Sequence, residues 1–302
     1  MKRVTVLLAV FFAWTGVAGA TTMPQPGSLV RVVRIAYRAH DGVLRAAWVE
    51  LPAWYGPLHH PALPLVISPH GRGVPARANV KFWGNLPAEG PFIVVNPEGQ
   101  GRRLALYSWG DRGQIDDLAR MPRIVMRALP WVRIDRRRIY GFGGSMGGQE
   151  TLLLLARHPH LLAGAAAFDA PTRLALRYRE FVDLHNGRNL QEIARYEIGG
   201  PPALEPRRYA SRSPAGFARR IAFSGVPLQL WWSVRDRIVS EGWTQSGALY
   251  RAIKRLNPRA PVVEFVGRWR HTADMRAANR LPIALGRFGL LDAREGQRLD
   301  FD

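Results

Sequence analysis

Short runs of apolar residues recur along the chain and alternate with segments of helical periodicity. Two of the runs, Val30–Tyr37 and Leu44–Leu51, are joined at His40-Asp41-Gly42, a turn signal that predicts an antiparallel hairpin. The later runs also predict strands, and the first of them, Leu63–Ser68, is continuously apolar, which is typical of a parallel strand buried on both faces. They cover Leu63–Ser68, Phe92–Asn96, Arg138–Phe142, Leu161–Phe168, Val226–Ser233 and Pro261–Val266.

Segments with helical spacing of apolar residues lie between these strands. They cover Ile115–Leu129, Met146–Arg157, Gly242–Leu256 and Ala273–Phe288. Pro122 is expected to kink or break the first of them. Because strands that alternate with helices pair in parallel, the pattern predicts an α/β fold. Its central sheet should be mostly parallel, with helices on both faces and the antiparallel hairpin at one edge.

Residues 171–225 interrupt the alternation, because connections between neighbouring strands are usually much shorter. The stretch contains the turn-forming sequences Gly199-Gly200-Pro201-Pro202 and Ser211-Arg212-Ser213-Pro214. It leaves one strand and returns before the next, so both its ends belong to the edge of the sheet. We expect a partly helical, cap-like insertion that covers a site there.

The first twenty residues have the three parts of a secretory signal peptide. Lys2-Arg3 precede the apolar run Val4–Trp14, and Ala18-Gly19-Ala20 forms a small-residue cleavage site. Residues 1–20 are therefore predicted to be a signal peptide, residues 21–29 a linker and residues 30–302 one domain. The expected location is secreted or periplasmic, without stable membrane insertion after signal removal. An uncleaved N-terminal anchor is the alternative.

The amino-acid composition excludes some classes of site and partner but does not indicate a function. Among 302 residues, 47% are hydrophobic and 22% charged, as in globular proteins. The net charge of +20 comes from 43 basic residues, of which only Lys2, Lys81 and Lys254 are lysine. Because the arginines are spread along the chain, a solvated basic surface is expected rather than a nucleic-acid partner; a polyanion-binding surface is the alternative. With no cysteine in the sequence, disulfides and cysteine-ligated metal sites are excluded.

Gly143-Gly144-Ser145-Met146-Gly147 has the pattern G-x-S-x-G between a predicted strand and a predicted helix. In this context a sharp turn holds the serine above the sheet, and the neighbouring glycines give the turn the small residues that it needs. The N-terminus of the helix adds a positive dipole end beside the hydroxyl. Ser145 is therefore the predicted nucleophile.

A serine hydroxyl needs a histidine base that an acid orients, and both are expected in loops that follow strands. His271 follows the strand that ends at Val266, and it is the predicted base. Asp236 follows the preceding strand and is the predicted acid, with Asp169 as the alternative. The other histidines after the serine do not follow a strand: His158, His160 and His185.

The oxygen of a carbonyl under attack becomes negative and needs preorganised N–H donors. The N–H of Met146 is the first predicted donor of this oxyanion hole. The second is expected in the loop His70-Gly71-Arg72-Gly73, where Arg72 is favoured and His70 is expected to hold backbone groups. We expect neither a cofactor nor a metal, because the sequence contains no nucleotide-binding glycine motif and no HExxH motif.

These motifs, in this order and context, resemble the α/β-hydrolase superfamily over about Val30–Gly289. Residues 143–148, Ser213-Pro214 and residues 236–239 are similar to the catalytic domain of prolyl-oligopeptidase-type serine hydrolases. Secreted feruloyl-type and polyhydroxybutyrate-depolymerase-type esterases are similar too. The chain has no room for the β-propeller of prolyl oligopeptidases, and it has Arg72 where depolymerase-type esterases usually have a cysteine. The resemblance therefore implies the fold and the triad, and says little about the substrate.

The predicted function is an exported serine hydrolase that cleaves a carboxylic ester through an acyl-enzyme intermediate. A prolyl-oligopeptidase-like peptidase that acts on short peptides is one alternative, because amide hydrolysis uses the same triad. Three insertion glutamates are candidates for binding a free amine in that case: Glu180, Glu192 and Glu197. A degenerate hydrolase fold that binds a polyanion is the other alternative, against which the intact triad argues.

The expected partner is a small-molecule or short-polymer acyl substrate, and the sequence predicts no oligomeric state. The insertion is expected to select the substrate without taking part in the chemistry. Its many arginines are expected to attract an acidic substrate group: Arg173, Arg177, Arg179, Arg188, Arg195, Arg207, Arg208 and Arg212.

Overall fold

The computed structural model describes residues 21–23 and 29–292, with side chains from residue 29 onward. The predicted signal peptide and most of the predicted linker lie outside the described residues. Nine strands of the described part form one sheet. They are β1 (Thr21–Met23), β2 (Val30–Arg38), β3 (Leu44–Pro52), β4 (Leu63–Ile67), β5 (Ile93–Pro97), β6 (Ile134–Gly144), β7 (Gly164–Phe168), β8 (Leu228–Ser233) and β9 (Val262–Gly267).

The strand order is β1-β2-β3-β5-β4-β6-β7-β8-β9. The strands from β5 to β9 in this order are parallel, whereas β1, β2 and β3 are antiparallel additions at one edge. The predicted parallel sheet and the predicted hairpin are confirmed. Thr21–Met23, at the start of the predicted linker, pair with Val32, Val33 and Arg34 and form the outermost strand.

Ten α-helices occur in the described residues, and α4 has the bounds that its apolar spacing predicts. They are α1 (Val80–Trp83), α2 (Leu86–Glu89), α3 (Arg112–Ala128), α4 (Met146–Arg157), α5 (Leu174–Glu180), α6 (Gly187–Ile198), α7 (Pro206–Ser211), α8 (Ala218–Ala222), α9 (Ser246–Leu256) and α10 (Leu281–Gly286). None of the helices in the described residues has the length and apolar character needed to cross a bilayer.

The helix predicted over residues 115–129 is not broken at Pro122, and a second helix prediction was wrong. Helix α3 continues through Pro122, because a proline removes only one hydrogen bond while Leu118, Met121 and Val125 pack in the core. The predicted helix over residues 273–288 is shortened to α10. Pro282 lies in the first turn of α10, where a proline favours a helix start, and residues 273–280 form turns and bends instead.

Alternating residues of the central strands face two separate apolar clusters. In β4, Leu65 and Ile67 belong to the larger cluster and Val66 to the other. Every residue of β4 and of β5 is buried. Burial on both faces explains why these strands are continuous apolar runs in the sequence.

The second of these clusters, which contains Val66, is rich in aromatic side chains and connects β7, β8 and β9. Trp231 of β8 stacks between Phe168 of β7 and Phe265 of β9, with ring centroids 5.8 Å and 4.0 Å away. Such stacking adds about 0.5–1.5 kcal/mol per pair beyond the buried area. These contacts fix the ends of three adjacent strands relative to one another.

Residues 171–225 contain helices α5 to α8. Apolar side chains of α5, α6 and α7 pack with Trp109 and Met146 in a third cluster, so these helices lie against the residue that follows Ser145. Helix α8 packs in the larger cluster instead. Several of its arginines form ion pairs within the protein, which reduces the positive charge that the insertion offers to a substrate. These are Arg177 with Glu180, Arg195 with Glu192, Arg208 with Glu205, and Arg212 with Asp111 and Glu197.

Candidate active site

Ser145 occupies the sharp turn between the end of β6 and the start of α4. Its backbone angles are φ 57° and ψ −125°, a strained conformation for a residue with a side chain. The turn is held by a hydrogen bond in which the Ser145 N–H donates to the Phe168 carbonyl oxygen at 2.8 Å. The serine side chain does not cap the helix, so the hydroxyl is not committed to the backbone. This is the geometry that the G-x-S-x-G pattern predicts.

The glycines of the motif permit close backbone crossings. A Cβ at Gly143 would lie 2.3 Å from the carbonyl oxygen of Gly147, and a Cβ at Gly147 would lie 2.1 Å from that of Pro69. Both contacts involve backbone, which cannot move aside as a flexible side chain would. The second crossing brings the start of α4 against the start of the loop at residues 70–73.

Asp236 and His271 form a hydrogen-bonded pair in the loops after β8 and β9. The distance from Asp236 Oδ2 to His271 Nδ1 is 2.6 Å. Asp236 Oδ1 accepts hydrogen bonds from the N–H groups of Ile238 at 2.7 Å and Val239 at 3.0 Å. Burial acts to raise the pKa of Asp236, but the hydrogen bond and charge of His271 outweigh it and hold that pKa below its ordinary value. The carboxylate therefore keeps the proton of His271 on Nδ1 and leaves Nε2 to accept another.

Asp169, the alternative acid, lies beside this pair and binds other groups. It accepts a hydrogen bond from the Thr272 N–H at 2.7 Å and from the Trp269 indole N–H at 3.3 Å. It thus holds the loop on both sides of His271. Burial, together with neighbouring carboxylates, raises the pKa of Asp169 well above its ordinary value. The geometry gives Asp236 the contact with the histidine and Asp169 a positioning role.

Side-chain atoms of Asp169, Asp236 and His271 lie within 4.8 Å of one another, a grouping that resembles a metal site in composition. The hydrogen bond between Asp236 and His271 accounts for their contact. Asp169, the third residue of the group, accepts hydrogen bonds from the N–H groups of Trp269 and Thr272. Because its atoms have donors or acceptors within the protein, the group needs no bound ion to explain its arrangement.

Ser145 and His271 line the same cavity, which has a volume of about 250 Å³. Arg72 lines it as well, so the structure brings together the predicted nucleophile, base and second oxyanion donor. Most of the side chains in the remaining wall are apolar: Pro69, Val74, Phe82, Ile238 and Met275. The cavity therefore combines the predicted nucleophile and base with a small apolar pocket.

His70 fixes the loop that carries Arg72. Its Nε2 accepts a hydrogen bond from the Gly99 N–H at 2.9 Å, so its Nδ1 carries the hydrogen and donates to the Gly71 carbonyl oxygen at 2.8 Å. Burial lowers the pKa of His70, which keeps the ring neutral. The guanidinium of Arg72 lies 5.5 Å from the ring centre of Phe181 in the insertion. Met146, the other predicted donor, is the first residue of α4.

Two groups of site residues were missed by the sequence analysis. Phe82 and Met275 form cavity walls from a short helix and a turn, and nothing in the sequence marks them. Ser233 and Trp269 support the histidine loop, because the Ser233 hydroxyl donates to the Trp269 carbonyl oxygen at 2.6 Å. A tryptophan in an otherwise basic loop was a usable signal, since so large an aromatic side chain usually needs a packing partner.

Glu150, a fully buried residue of α4, should make the stability of the fold depend on pH. Burial raises its pKa from 4.5 to about 7. The folded state therefore binds this proton more tightly than the unfolded state, and stability should fall as the pH rises from about 4.5 through about 7. Glu150→Gln removes this penalty. We expect it to stabilise the protein by about 1–3 kcal/mol at pH 8 and by little at pH 4.5.

Thermal unfolding at the two pH values measures this effect. The matched control is Glu192→Gln, which removes an exposed glutamate of the insertion and should not alter the pH dependence. An equal gain in Tm at both pH values for Glu150→Gln would show that the carboxyl is not titrating in this range.

No protein-family profile matches the chain, and no curated protein matches its sequence. Solved structures match its fold. An acylaminoacyl peptidase from Pyrococcus horikoshii matches with a TM-score of 0.65 at 17% identity, covering 90% of this chain and 44% of its own. A puromycin-hydrolyzing peptidase from Mycobacterium tuberculosis matches with a TM-score of 0.65 at 20% identity, covering 88% of this chain and 40% of its own. This chain thus spans less than half the length of either peptidase.

A shorter protein matches over most of both chains. An esterase from Pyrococcus furiosus has a TM-score of 0.58 at 16% identity, covering 85% of this chain and 89% of its own. Identities this low show a common fold and do not transfer a substrate.

Proposed function

Because the chain has the α/β-hydrolase fold, we propose that it is an exported serine hydrolase that cleaves a carboxylic ester through an acyl-enzyme intermediate. One observation carries the proposal: Ser145, on its strained turn, shares a cavity with His271, whose Nδ1 lies 2.6 Å from the buried Asp236. A nucleophile, a base and an orienting acid are what acyl transfer requires. The proposal that the protein is exported rests on the sequence of residues 1–20.

In the first half of the reaction, His271 Nε2 removes the hydroxyl proton of Ser145 while Oγ bonds to the carbonyl carbon of the substrate. The carbonyl oxygen becomes negative and is stabilised by the N–H groups of Met146 and Arg72. The bond to the leaving group then breaks, and Nε2 gives the proton to that group. Asp236 stays ionised, in accordance with its lowered pKa, and stabilises the imidazolium.

In the second half, a water molecule takes the place of the leaving group. His271 removes a proton from the water, and its oxygen attacks the acyl carbon on Ser145. The bond between that carbon and Oγ breaks, and Oγ recovers the proton from Nε2. The products are a carboxylic acid and the free enzyme, so no redox partner or cofactor enters the balance.

The size of the cavity favours a short acyl group. Its volume of about 250 Å³ has to hold the reacting carbonyl as well as the acyl chain. Phe82 and Met275 form part of its wall, and a chain that exceeds the pocket has to displace them or remain in water.

A peptidase function is supported less well by the insertion glutamates. Glu180 pairs with Arg177 at 3.0 Å and accepts a hydrogen bond from Gln245 at 2.8 Å. Glu197 accepts hydrogen bonds from the N–H groups of Arg103 and Leu104. These two carboxylates are thus engaged within the protein. The third candidate, Glu192, is exposed and pairs with Arg195 at 3.7 Å. Because two of the three candidates are occupied, an ester is favoured over a substrate with a free amine.

The test is a panel of p-nitrophenyl acyl esters of rising chain length beside aminoacyl and prolyl anilides, with protein purified after export. We expect its first residue to be Thr21 and kcat/KM to fall by at least about tenfold from butyrate to octanoate. Anilides should be poorer substrates than every short ester. Anilide hydrolysis that matches ester hydrolysis would favour the peptidase function. A folded protein without any turnover would favour the degenerate, polyanion-binding alternative.

A further inference from the structure

Four arginines surround a broad depression beside His271, and we call it the arginine basin. It is defined by Arg235, Arg237, Arg268 and Arg270, and its volume is about 800 Å³. Two of these arginines flank Asp236 in the loop after β8, and the other two flank Trp269 in the loop after β9. All four are exposed. The two loops that supply the acid and the base therefore also supply this concentrated positive charge.

The charge of the arginine basin is not neutralised within the described part of the chain. None of its four arginines forms an ion pair with a carboxylate of residues 29–292. Asp236 lines the basin, but its carboxylate is engaged by His271 and two backbone N–H groups. In contrast, Arg177 and Arg212 of the insertion are buried in ion pairs. The basin therefore offers a substrate four guanidinium groups that are unpaired within the described residues, in addition to Arg72 of the catalytic cavity, whereas Arg177 and Arg212 of the insertion are paired.

The arginine basin adjoins the catalytic cavity on the side of the base. Ile238 and His271 line both spaces. In the proposed reaction His271 Nε2 gives its proton to the departing group, so that group has to lie within hydrogen-bond reach of the imidazole. A substrate whose carbonyl lies at Ser145 would therefore extend its leaving group over His271 towards the basin.

We propose that the arginine basin binds an anionic leaving group, and that the anionic group it binds best is a phosphate monoester. This rests on the proposed function and adds to it the substrate class: carboxylic esters or thioesters whose alcohol or thiol side carries a dianion. An arginine guanidinium can bind two phosphate oxygens at once, and four arginines line this basin. Hydrolysis joins water to the acyl carbon and releases a carboxylic acid and the phosphorylated alcohol or thiol.

Two thioesters that differ only by one phosphate test the proposal: S-acetylpantetheine and S-acetyl-4′-phosphopantetheine. The released thiol is measured with a coloured disulfide reagent, and the enzyme gives no background because its sequence has no cysteine. At low ionic strength we expect kcat/KM to be about five- to tenfold higher for the phosphorylated thioester. The preference should disappear near 1 M salt, where the screening length is about 3 Å.

Arginine variants test whether the basin causes the preference for the phosphorylated thioester. Arg235→Gln/Arg268→Gln removes one arginine from each loop, and the ratio of kcat/KM for the two thioesters should fall to about one. Arg235→Lys/Arg268→Lys keeps the charge and should retain part of the ratio. The matched control is Arg123→Gln/Arg127→Gln, which removes the same charge from a separate arginine-lined cavity and should leave the ratio unchanged.

Three outcomes would overturn the proposal. Equal kcat/KM for both thioesters in the wild-type enzyme would do so while leaving the hydrolase function intact. An equal fall of the ratio in the control variant would assign the preference to the net charge of the whole protein. Failure of the folded protein to hydrolyse either thioester or any p-nitrophenyl ester would overturn both the basin and the proposed function.

Discussion

Ser145→Ala should lower ester turnover by about five orders of magnitude or more and abolish covalent labelling by a fluorophosphonate probe. The substitution removes the only atom that forms the acyl bond in the proposed reaction. The fold should be retained, because the serine side chain makes no capping hydrogen bond and an alanine can occupy the same backbone position. Turnover, labelling and circular dichroism of the purified variant measure the three parts of this prediction.

Ser240→Ala is the matched control, since Ser240 is an exposed serine in the loop that follows Asp236. It should retain full turnover and full labelling. Labelling that persists in Ser145→Ala would show that another residue is the nucleophile.

Asp236→Asn should lower kcat by about four orders of magnitude, whereas Asp169→Asn should have a much smaller effect. An asparagine at position 236 can turn its amide N–H₂ towards His271, which stabilises the tautomer that cannot act as a base at Nε2. At position 169 an asparagine oxygen can still accept the Thr272 N–H. Because burial already raises the pKa of Asp169, losing its charge costs little.

His271→Ala provides the reference for complete loss of the base and should be at least as damaging as Asp236→Asn. Rates of p-nitrophenyl butyrate hydrolysis for the three variants decide between the two acids. If Asp169→Asn proves the more damaging of the two asparagine variants, the acid is Asp169 and our reading of the geometry is wrong.

The sequence predicts the centre of the sheet well because β4, β5, β7 and β8 are buried along their whole length. A strand such as β4 has no solvent-exposed position, so it appears as an uninterrupted apolar run between turn residues. Helix α4 was predictable to its last residue, since the turn at Ser145 precedes it and the pair His158-Pro159 follows it. In both cases local sequence and tertiary packing demand the same structure.

Other elements depend on packing that no local pattern reveals. Helices α1 and α2 have four residues each, which is too short for a periodicity to be recognised. Helix α3 is not broken at Pro122, because the residues on both sides are fixed in the core. These outcomes are decided by contacts between distant parts of the chain.

The residues of the candidate site also fall into two groups, those that the sequence predicts and those that depend on the fold. Ser145 and His271 could be chosen from motif and strand order. Asp236 and Asp169 both follow strands, so the sequence favoured Asp236 but kept Asp169 as the alternative. Only the geometry separates them: one contacts the imidazole, and the other holds the backbone of Thr272. The apolar cavity wall was not predictable, because its side chains are ordinary hydrophobic residues brought together by the fold.

In the proposed reaction, the strand order also determines when during folding the nucleophile gains its base. Ser145 follows β6 in the centre of the sheet, whereas His271 follows β9, the last strand of the described residues and one edge of the sheet. Parallel strands join segments that are distant in sequence, so their pairing is slow compared with local structure. A chain in which β9 has not yet paired with β8 has the serine turn but no base beside it. If the proposed reaction is followed during refolding, ester turnover should therefore begin only when β9 has paired with β8, and chains at the earlier stage should be inactive.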